Sequence, residues 1–187
     1  MANKVMYGVS NLHVGTYTVG TTGTVTLGTP MKIPGTVNIS LEPSSEETKF
    51  YADNVVYWAG YSDNGYTGEI ENALFPDTFK TSYLNYVSLG TGGIAQLKGA
   101  NSTKTYIMFQ AEGDDKARRC ILYNCTFGQI TREYATVEDS EQPQTAKLPF
   151  TCSGDQGTGI IKAVYEEGAT AYSTMFSSPP VPALPGA

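Results

Sequence analysis

The chain has 187 residues and a formal net charge of -6 at pH 7, which is enough length for one domain with a buried core. The acidic net charge excludes a protein that binds nucleic acid tightly, because such binding needs clustered Lys and Arg to displace phosphate counterions. No apolar run reaches the roughly 18 residues of a spanning helix, and no signal-peptide core begins the chain. We expect one domain over residues 1–175, made in the cytoplasm, with no membrane partner.

The first predicted element is the segment of residues 14–35, which alternates Thr, Val and Tyr with repeated glycines and few charges. That pattern is typical of a long exposed hairpin or an arm. An unprotected strand is an edge-pairing liability in a monomer, so the segment is either flexible or pairs with a strand of another subunit. Its candidate inter-subunit side chains are Tyr17, Val19, Val25 and Leu27.

Two strands of different character follow. Residues 36–42 alternate apolar and polar side chains, which predicts a strand with one solvent-exposed face. Residues 50–61, which include Trp58, carry large side chains on both faces, and this predicts burial on both faces. Either the domain's own helix or another subunit would cover the second face. Tyr51 and Tyr57 in this strand are further candidates for inter-subunit contact.

An acidic strand and one helix come next. An asparagine-glycine turn at residues 64–65 leads into the acidic strand, where Glu69 and Glu71 share a face. The helix starts at Pro76, whose fixed φ and missing donor suit a first turn, and Asp77 complements the positive end of the helix dipole. Its apolar stripe packs onto the sheet and consists of Phe75, Phe79 and Tyr83.

The later strands are predicted to form two hairpins. Residues 105–111 and 119–127 are joined by a polar connection that contains Asp114 and Asp115, and both of these strands lack an obvious solvent face. A second hairpin is predicted to join residues 146–150 to residues 160–165. The proline-rich residues 176–187 form an extended or disordered tail.

No catalytic, metal or cofactor site is predicted. The carboxylates of Glu69 and Glu71 resemble the pair of a glycosidase, but alternating acidic residues on a strand are usually a solvated face. His13 is the one histidine, and no Gly-x-Ser-x-Gly turn accompanies it. The cysteines Cys120, Cys125 and Cys152 are odd in number and fit no zinc pattern. We expect free buried thiols and no disulfide framework.

Three runs in the centre of the chain, at residues 51–54 (YADN), 65–71 (GYTGEIE) and 75–79 (FPDTF), resemble the diagnostic centre of the major tail protein family of long-tailed, siphovirus-type bacteriophages. The resemblance is strongest over residues 49–84 and weaker through residues 113–124. It implies a mainly β fold: a small antiparallel β-sandwich or half-barrel with one flanking short helix and an extended arm or hairpin.

The same resemblance implies a structural virion protein. Six copies would join their sheets edge to edge into a ring, and stacked rings would form the tail tube through which DNA is ejected. The implied partners are further copies of the chain, the tape measure protein and the tail terminator and initiator proteins, with assembly in the host cytoplasm. An acidic wall would let DNA pass without adsorbing, and its candidate lining residues are Glu69, Glu71, Asp114 and Asp115. Residues 14–35 would bridge to a neighbouring ring.

Three alternatives stay open on the sequence. A carbohydrate-binding β-sandwich of a phage fibre or adhesin would also use many tyrosines. A hydrolase would use Glu69 or Glu71. A ring-forming tail terminator or capsid decoration protein would form rings that do not stack into long tubes.

Overall fold

The computed structural model describes residues 7–99, 101–136 and 143–184. It is mainly β, with antiparallel pairing throughout these ranges and one short helix, which confirms the predicted fold class. The elements are β1 Val9–Val19, β2 Val25–Leu27, β3 Met31–Lys32, β4 Thr36–Ala52, β5 Val55–Asn72, α1 Asp77–Tyr83, β6 Val87–Leu89, β7 Gly93–Ala95, β8 Thr105–Ala111, β9 Arg119–Phe127, β10 Thr131–Arg132, β11 Ala146–Cys152 and β12 Lys162–Tyr165.

One open sheet organises these strands in the order β2-β1-β8-β9-β11-β5-β4, while β6 and β7 form a separate small hairpin. The two faces of β8 belong to different apolar clusters. Ile107 and Phe109 lie in the cluster beneath α1, whereas Tyr106 and Met108 lie in a second cluster with Met175. The missing solvent face that the sequence indicated for β8 and β9 is therefore covered by the chain's own C-terminal region.

Helix α1 covers the first cluster as predicted. It begins at Asp77, with Pro76 at the N-cap position. The rings of Phe75 and Phe79 stack with centroids 5.4 Å apart, and Phe79 meets Phe127 of the sheet edge-on at 5.6 Å. Tyr83 closes the stripe and donates a hydrogen bond to the Val14 carbonyl oxygen at 3.1 Å. The helix is therefore fixed to the sheet by its aromatic face.

The first predicted hairpin is confirmed and the second is wrong. Strands β8 and β9 pair across residues 112–118. Strands β11 and β12 exist, but each pairs with β9: Cys152 lies opposite Cys125, and Lys162 lies opposite Leu122. The nine-residue β9 is long enough to pair with two short strands, one after the other, along the same edge. Turn residues indicate where a strand ends, but they do not indicate which strand it pairs with.

Residues 14–35 form a hairpin that belongs to the sheet. Strand β1 pairs with β8 over most of its length, and its end pairs with β2, with Tyr17 opposite Leu27. Val14 is 1% exposed, so the first part of the segment contributes to the core. The tip, residues 18–24, is exposed throughout.

The expectation of three free thiols is corrected by a disulfide between Cys125 and Cys152, whose Cα atoms are 4.1 Å apart. The two residues face each other directly across β9 and β11. Close cross-strand pairs bring Cβ atoms together, and that register depends on a pairing between distant strands. Cys120 is free and half-buried.

The C-terminal residues 179–184 run without helix or strand. The Tyr123 hydroxyl donates to the Pro180 carbonyl oxygen at 2.8 Å, which holds this stretch against the sheet. Residues 185–187 lie outside the described ranges. Within those ranges, no helix has the length and apolar character that crossing a membrane requires.

Candidate functional site

The longest element of the molecule is the hairpin of β4 and β5, with 17 and 18 residues in its strands. Its base is part of the sheet, because β5 also pairs with β11 as far as Tyr66, which lies opposite Cys152. Beyond that point, residues 45–63 pair only with one another among the described residues. We call residues 45–63 the ribbon. At about 3.3 Å per residue, its eight-residue strand extends about 25 Å past the sheet.

The ribbon turns at Asp53 and Asn54, not at the predicted asparagine-glycine pair. These two residues have φ values of 51° and 62°, as a two-residue type I′ turn requires. Gly65 instead sits at an irregularity inside β5 with φ 96°, and its N–H donates to the Asp63 carboxylate at 3.0 Å. Both dipeptides tolerate positive φ, so local chemistry alone does not distinguish a turn from a bulge.

The ribbon exposes large apolar side chains on both faces. Phe50 lies directly opposite Trp58, and its ring meets that of Tyr57 edge-on at 6.5 Å. The Trp58 ring lies over the backbone of Gly60, where any Cβ would collide with it. The exposed set, between 48% and 75% accessible, consists of Phe50, Tyr51, Val55, Val56, Tyr57, Trp58 and Tyr61.

The predicted two-sided burial of residues 50–61 is therefore not achieved within the chain. Helix α1 packs on the first cluster beneath the sheet and does not cover the ribbon. Among the described strands β4 is also the last of the sheet, so no described strand pairs with the backbone of its outer edge. An exposed apolar ribbon with an open edge is a surface that associates with other protein surfaces. This surface is the candidate functional site.

The predicted inter-subunit residues occupy two opposite ends of the sheet. Tyr51 and Tyr57 lie on the ribbon and are 61% and 74% exposed. Val19 is exposed, and Val25 and Leu27 are half-buried, at the β1–β2 end. Tyr17, in contrast, is buried at 2% exposure and donates to the Asp155 carboxylate at 2.5 Å, so it serves the interior of its own chain.

Sequence patterns alone miss most of the ribbon's aromatic surface. They do not single out Phe50, Trp58 and Tyr61 as contact residues, although these side chains carry much of the exposed area. The signal that identifies them is the two-sided apolar pattern itself. It predicts cover on both faces, and only the structure shows that the chain does not supply it.

The four predicted acidic lining residues do not form one patch. The Glu69 carboxylate forms an ion pair with the Lys147 ammonium at 3.4 Å. The Glu71 carboxylate accepts a hydrogen bond from the Thr145 hydroxyl at 2.5 Å. They lie near the Phe127 end of β9, whereas Asp114 and Asp115 lie beyond its Arg119 end.

The tip of the β8–β9 hairpin carries a charge cluster. Arg118 contacts Asp114 at 3.3 Å and Glu166 at 3.3 Å, and Lys116 contacts Glu166 at 2.8 Å. The two hydrogen bonds from Lys116 and the one from Arg118 hold the pKa of the Glu166 carboxyl below its ordinary value. Asp114 is therefore paired with Arg118, and Asp115 is the exposed acid of this tip. In the part of the chain that the structure describes, no three metal-ligating side chains cluster.

Comparison with known proteins finds similarity in structure only. No protein-family model matches the sequence, and no curated protein matches it. Several solved structures are similar, and three of them are described. The tube-terminating cap of the anti-feeding prophage has a TM-score of 0.48 and 11% identity, over 87% of this chain and 93% of that chain.

The other two come from an extracellular contractile injection system, PVC, in its extended state. A chain of its sheath-tube complex has a TM-score of 0.47 and 12% identity, over 83% of this chain and 88% of that chain. Its sheath/tube terminator has a TM-score of 0.50 and 12% identity, over 88% of this chain and 99% of that chain. At this identity the likeness to the terminator is one of fold, over almost its whole length.

Proposed function

We propose that this chain is a structural, non-enzymatic subunit of a phage-tail-type tube, which joins copies of itself into closed rings that stack into a conduit for DNA. The observation that carries the proposal is the ribbon: a two-stranded extension with seven large apolar side chains exposed on both faces. In a lone subunit this surface is unfavourably hydrated, and a second copy offers the complementary surface.

The magnitude of the ribbon's contribution favours a ring over an isolated pair. Burying a large apolar side chain completely is worth about 1.5–3 kcal/mol. Seven side chains that are on average about 60% exposed would then contribute roughly 6–13 kcal/mol, against an association cost of about 4–15 kcal/mol. One such contact is marginal. In a closed ring every subunit makes two contacts, and no apolar end is left in water.

The finer features of the proposal come from the sequence resemblance. Six subunits would form each ring, and the tape measure, initiator and terminator proteins would set tube length in the virion tail. The net charge of -6 supports passage of DNA, because a wall of like charge releases no counterions from the phosphates. Bridging between rings is proposed only for the tip of residues 19–25, since β1 belongs to the core.

The second candidate is a terminator, whose ring closes a tube without further stacking. It is supported by the fold likeness, at a TM-score of 0.50, to a solved sheath/tube terminator. The two candidates share ring formation and differ in the presence of a second stacking face. The length of the particles therefore distinguishes the two candidates: long tubes for the first and single rings for the second.

The test is negative-stain microscopy of the purified protein, with light scattering to measure mass. Wild-type protein should form rings, and tubes many rings long if the first candidate is correct. The double variant Phe50→Ser/Trp58→Ser should remain a folded monomer. Tyr134→Ser is the matched control, because Tyr134 is an exposed aromatic residue outside the ribbon, at 86% accessibility. A wild-type protein that stays a single folded subunit, even with its assembly partners, would exclude both candidates.

A further inference from the structure

An apolar groove opens on the body of the molecule, where the start of β4 faces the strands β8 and β9. Its volume is about 490 Å³. The groove is the open end of the first cluster, because Val9, Ile39 and Leu41 in its wall pack against buried core residues. We call it the seam groove; its apolar lining consists of Val9, Val37, Ile39, Leu41, Phe109 and Ala111, beside Cys120 and Lys162.

The ribbon of the same chain does not reach this groove. Leu41 lines the groove and Phe50 lies near the ribbon turn, and both belong to the single strand β4. The nine residue steps from Leu41 to Phe50 span about 30 Å of extended chain. Folding the ribbon back would break the ladder between β4 and β5, which continues from Thr36 to Ala52. The groove and the ribbon are therefore available to different copies.

We infer that the ribbon of one subunit inserts its aromatic pair, Phe50 and Trp58, into the seam groove of the next subunit. The inference rests on the proposed function and names the receptor for the ribbon. A protruding element and a receiving groove on different parts of one chain make a heterologous contact, which propagates into rings or stacks and does not stop at a dimer.

The chemistry of the two surfaces is complementary. Phe50 and Trp58 are 59% and 55% exposed on one ribbon face, and the groove offers an apolar wall of half-buried side chains. The charges also match. Glu46, Glu47, Asp53 and Asp63 on the ribbon outnumber its single Lys49, while the one charged residue of the groove is Lys162.

Lys162 is available for such a contact. Its ammonium lies 4.9 Å from the centroid of the Tyr66 ring, and among the described residues it makes no ion pair. Lys49 on the ribbon already pairs with Glu47 at 2.9 Å, which leaves the other ribbon carboxylates to face a basic partner.

Cys120 permits a direct test, because it lies in the groove wall and is the one free cysteine of the chain. Val55→Cys places a second thiol beside the ribbon turn and leaves Phe50 and Trp58 intact. A short bis-maleimide should link this introduced thiol of one copy to Cys120 of the next and give a ladder of covalent multimers. The ladder should disappear when Cys120→Ser is added. Tyr134→Cys, at a more exposed position outside the ribbon, should give no ladder through Cys120.

A second variant tests the groove without cross-linking. Val37→Trp fills the rim of the groove at a position that is 54% exposed, so the melting temperature should change little while ring formation is lost. If Val37→Trp assembles like the wild type and no ladder forms, the inference is overturned, although wild-type rings would keep the proposed function. Absence of any wild-type particles would instead contradict the proposed function itself.

Other occupants of the groove give different outcomes. If Cys120 of the monomeric Phe50→Ser/Trp58→Ser variant reacts with a small maleimide only after residues 1–6 are removed, the chain covers its own groove and the inference fails. A ladder in Val55→Cys that persists after Cys120→Ser would place the ribbon against another ribbon, and this too would overturn it.

Discussion

The base and the ribbon of the β4–β5 hairpin are built from the same two strands, but only the base has another strand and a core cluster beside it. At the base, Ile70 is 1% exposed, and Gly68 packs so tightly against Phe150 and the Ser40 carbonyl that no Cβ would fit. In the ribbon, Tyr57 and Tyr61 are 74% and 75% exposed. The ribbon has the more apolar sequence and the more exposed structure.

An apolar sequence pattern therefore predicts that a segment will be buried, but it does not identify the surface that buries it. The base is buried because β11 pairs with β5 as far as Tyr66 and the first cluster lies beneath it. The ribbon continues past the end of β11. Its side chains are then left to intermolecular contact, which is why we place assembly there and folding at the base.

A core substitution and a ribbon substitution should separate folding from assembly, and the core substitution should have the largest effect on stability. Phe79→Ala removes a side chain that is 1% exposed and packs on Phe75 and Phe127, so the free energy of unfolding should fall by about 3–5 kcal/mol. Trp58→Ala in the ribbon should change it by no more than about 0.5 kcal/mol while abolishing rings. Urea unfolding at concentrations that keep the chain monomeric measures both. Equal losses would contradict the division.

Loss of the disulfide should weaken the body and leave the ribbon unchanged. The bond between Cys125 and Cys152 closes a sequence separation of 27 residues, for which loop-closure entropy gives about 3.5 kcal/mol. We expect Cys125→Ala/Cys152→Ala to lower the melting temperature and to speed hydrogen exchange in β9 and β11. Cys120→Ser is the control with a smaller effect. Faster exchange confined to residues 45–63 would refute the assignment.

The boundary between the two regions should depend on Gly65. Its φ is 96°, and a Cβ at this position would collide with the Cys152 carbonyl oxygen. Gly65→Ala should therefore cost about 1–3 kcal/mol of stability and disturb the base where the ribbon begins. Gly90→Ala is the matched control, because a Cβ there meets nothing within 4 Å. If the two variants have the same melting temperature, the bulge at position 65 does not require glycine.

The acid sensitivity of the monomer should come in part from the buried pair of Tyr17 and Asp155. Burial raises the pKa of the Asp155 carboxyl, but hydrogen bonds from Thr158 and Tyr17 outweigh it and leave that pKa below its ordinary value. A lowered carboxyl pKa stabilises the fold above the unfolded value of about 3.9. This contribution is lost as pH falls through the folded pKa.

Tyr17→Phe removes one of these hydrogen bonds, so stability at neutral pH should fall by about 1–2 kcal/mol and its decline in acid should become shallower. Melting temperatures measured from neutral pH down to strong acid test both parts. Tyr61→Phe, an exposed control on the ribbon, should leave the profile unchanged. An unchanged profile for Tyr17→Phe would show that Asp155 is stabilised without it.

Much of the fold followed from local patterns. The helix at Pro76, its stripe of Phe75, Phe79 and Tyr83, and the β8–β9 hairpin were predictable because each depends on neighbouring residues. The candidate site was predictable only in part. Two-sided apolarity identified residues 50–61 as one strand in need of cover. The turn at Asp53–Asn54 that divides it was not predicted, because this turn and the bulge at Gly65 use the same chemistry.

By itself, the amino-acid sequence determined the strand-rich class, the position of the helix and the excess of large apolar side chains in residues 50–61, because these are properties of short segments. The tertiary structure decided the rest: that Cys125 faces Cys152, that β11 and β12 share one edge of β9, and that the ribbon passes the end of β11. Pairing between distant strands depends on the whole chain folding together, and no local run of residues encodes that register.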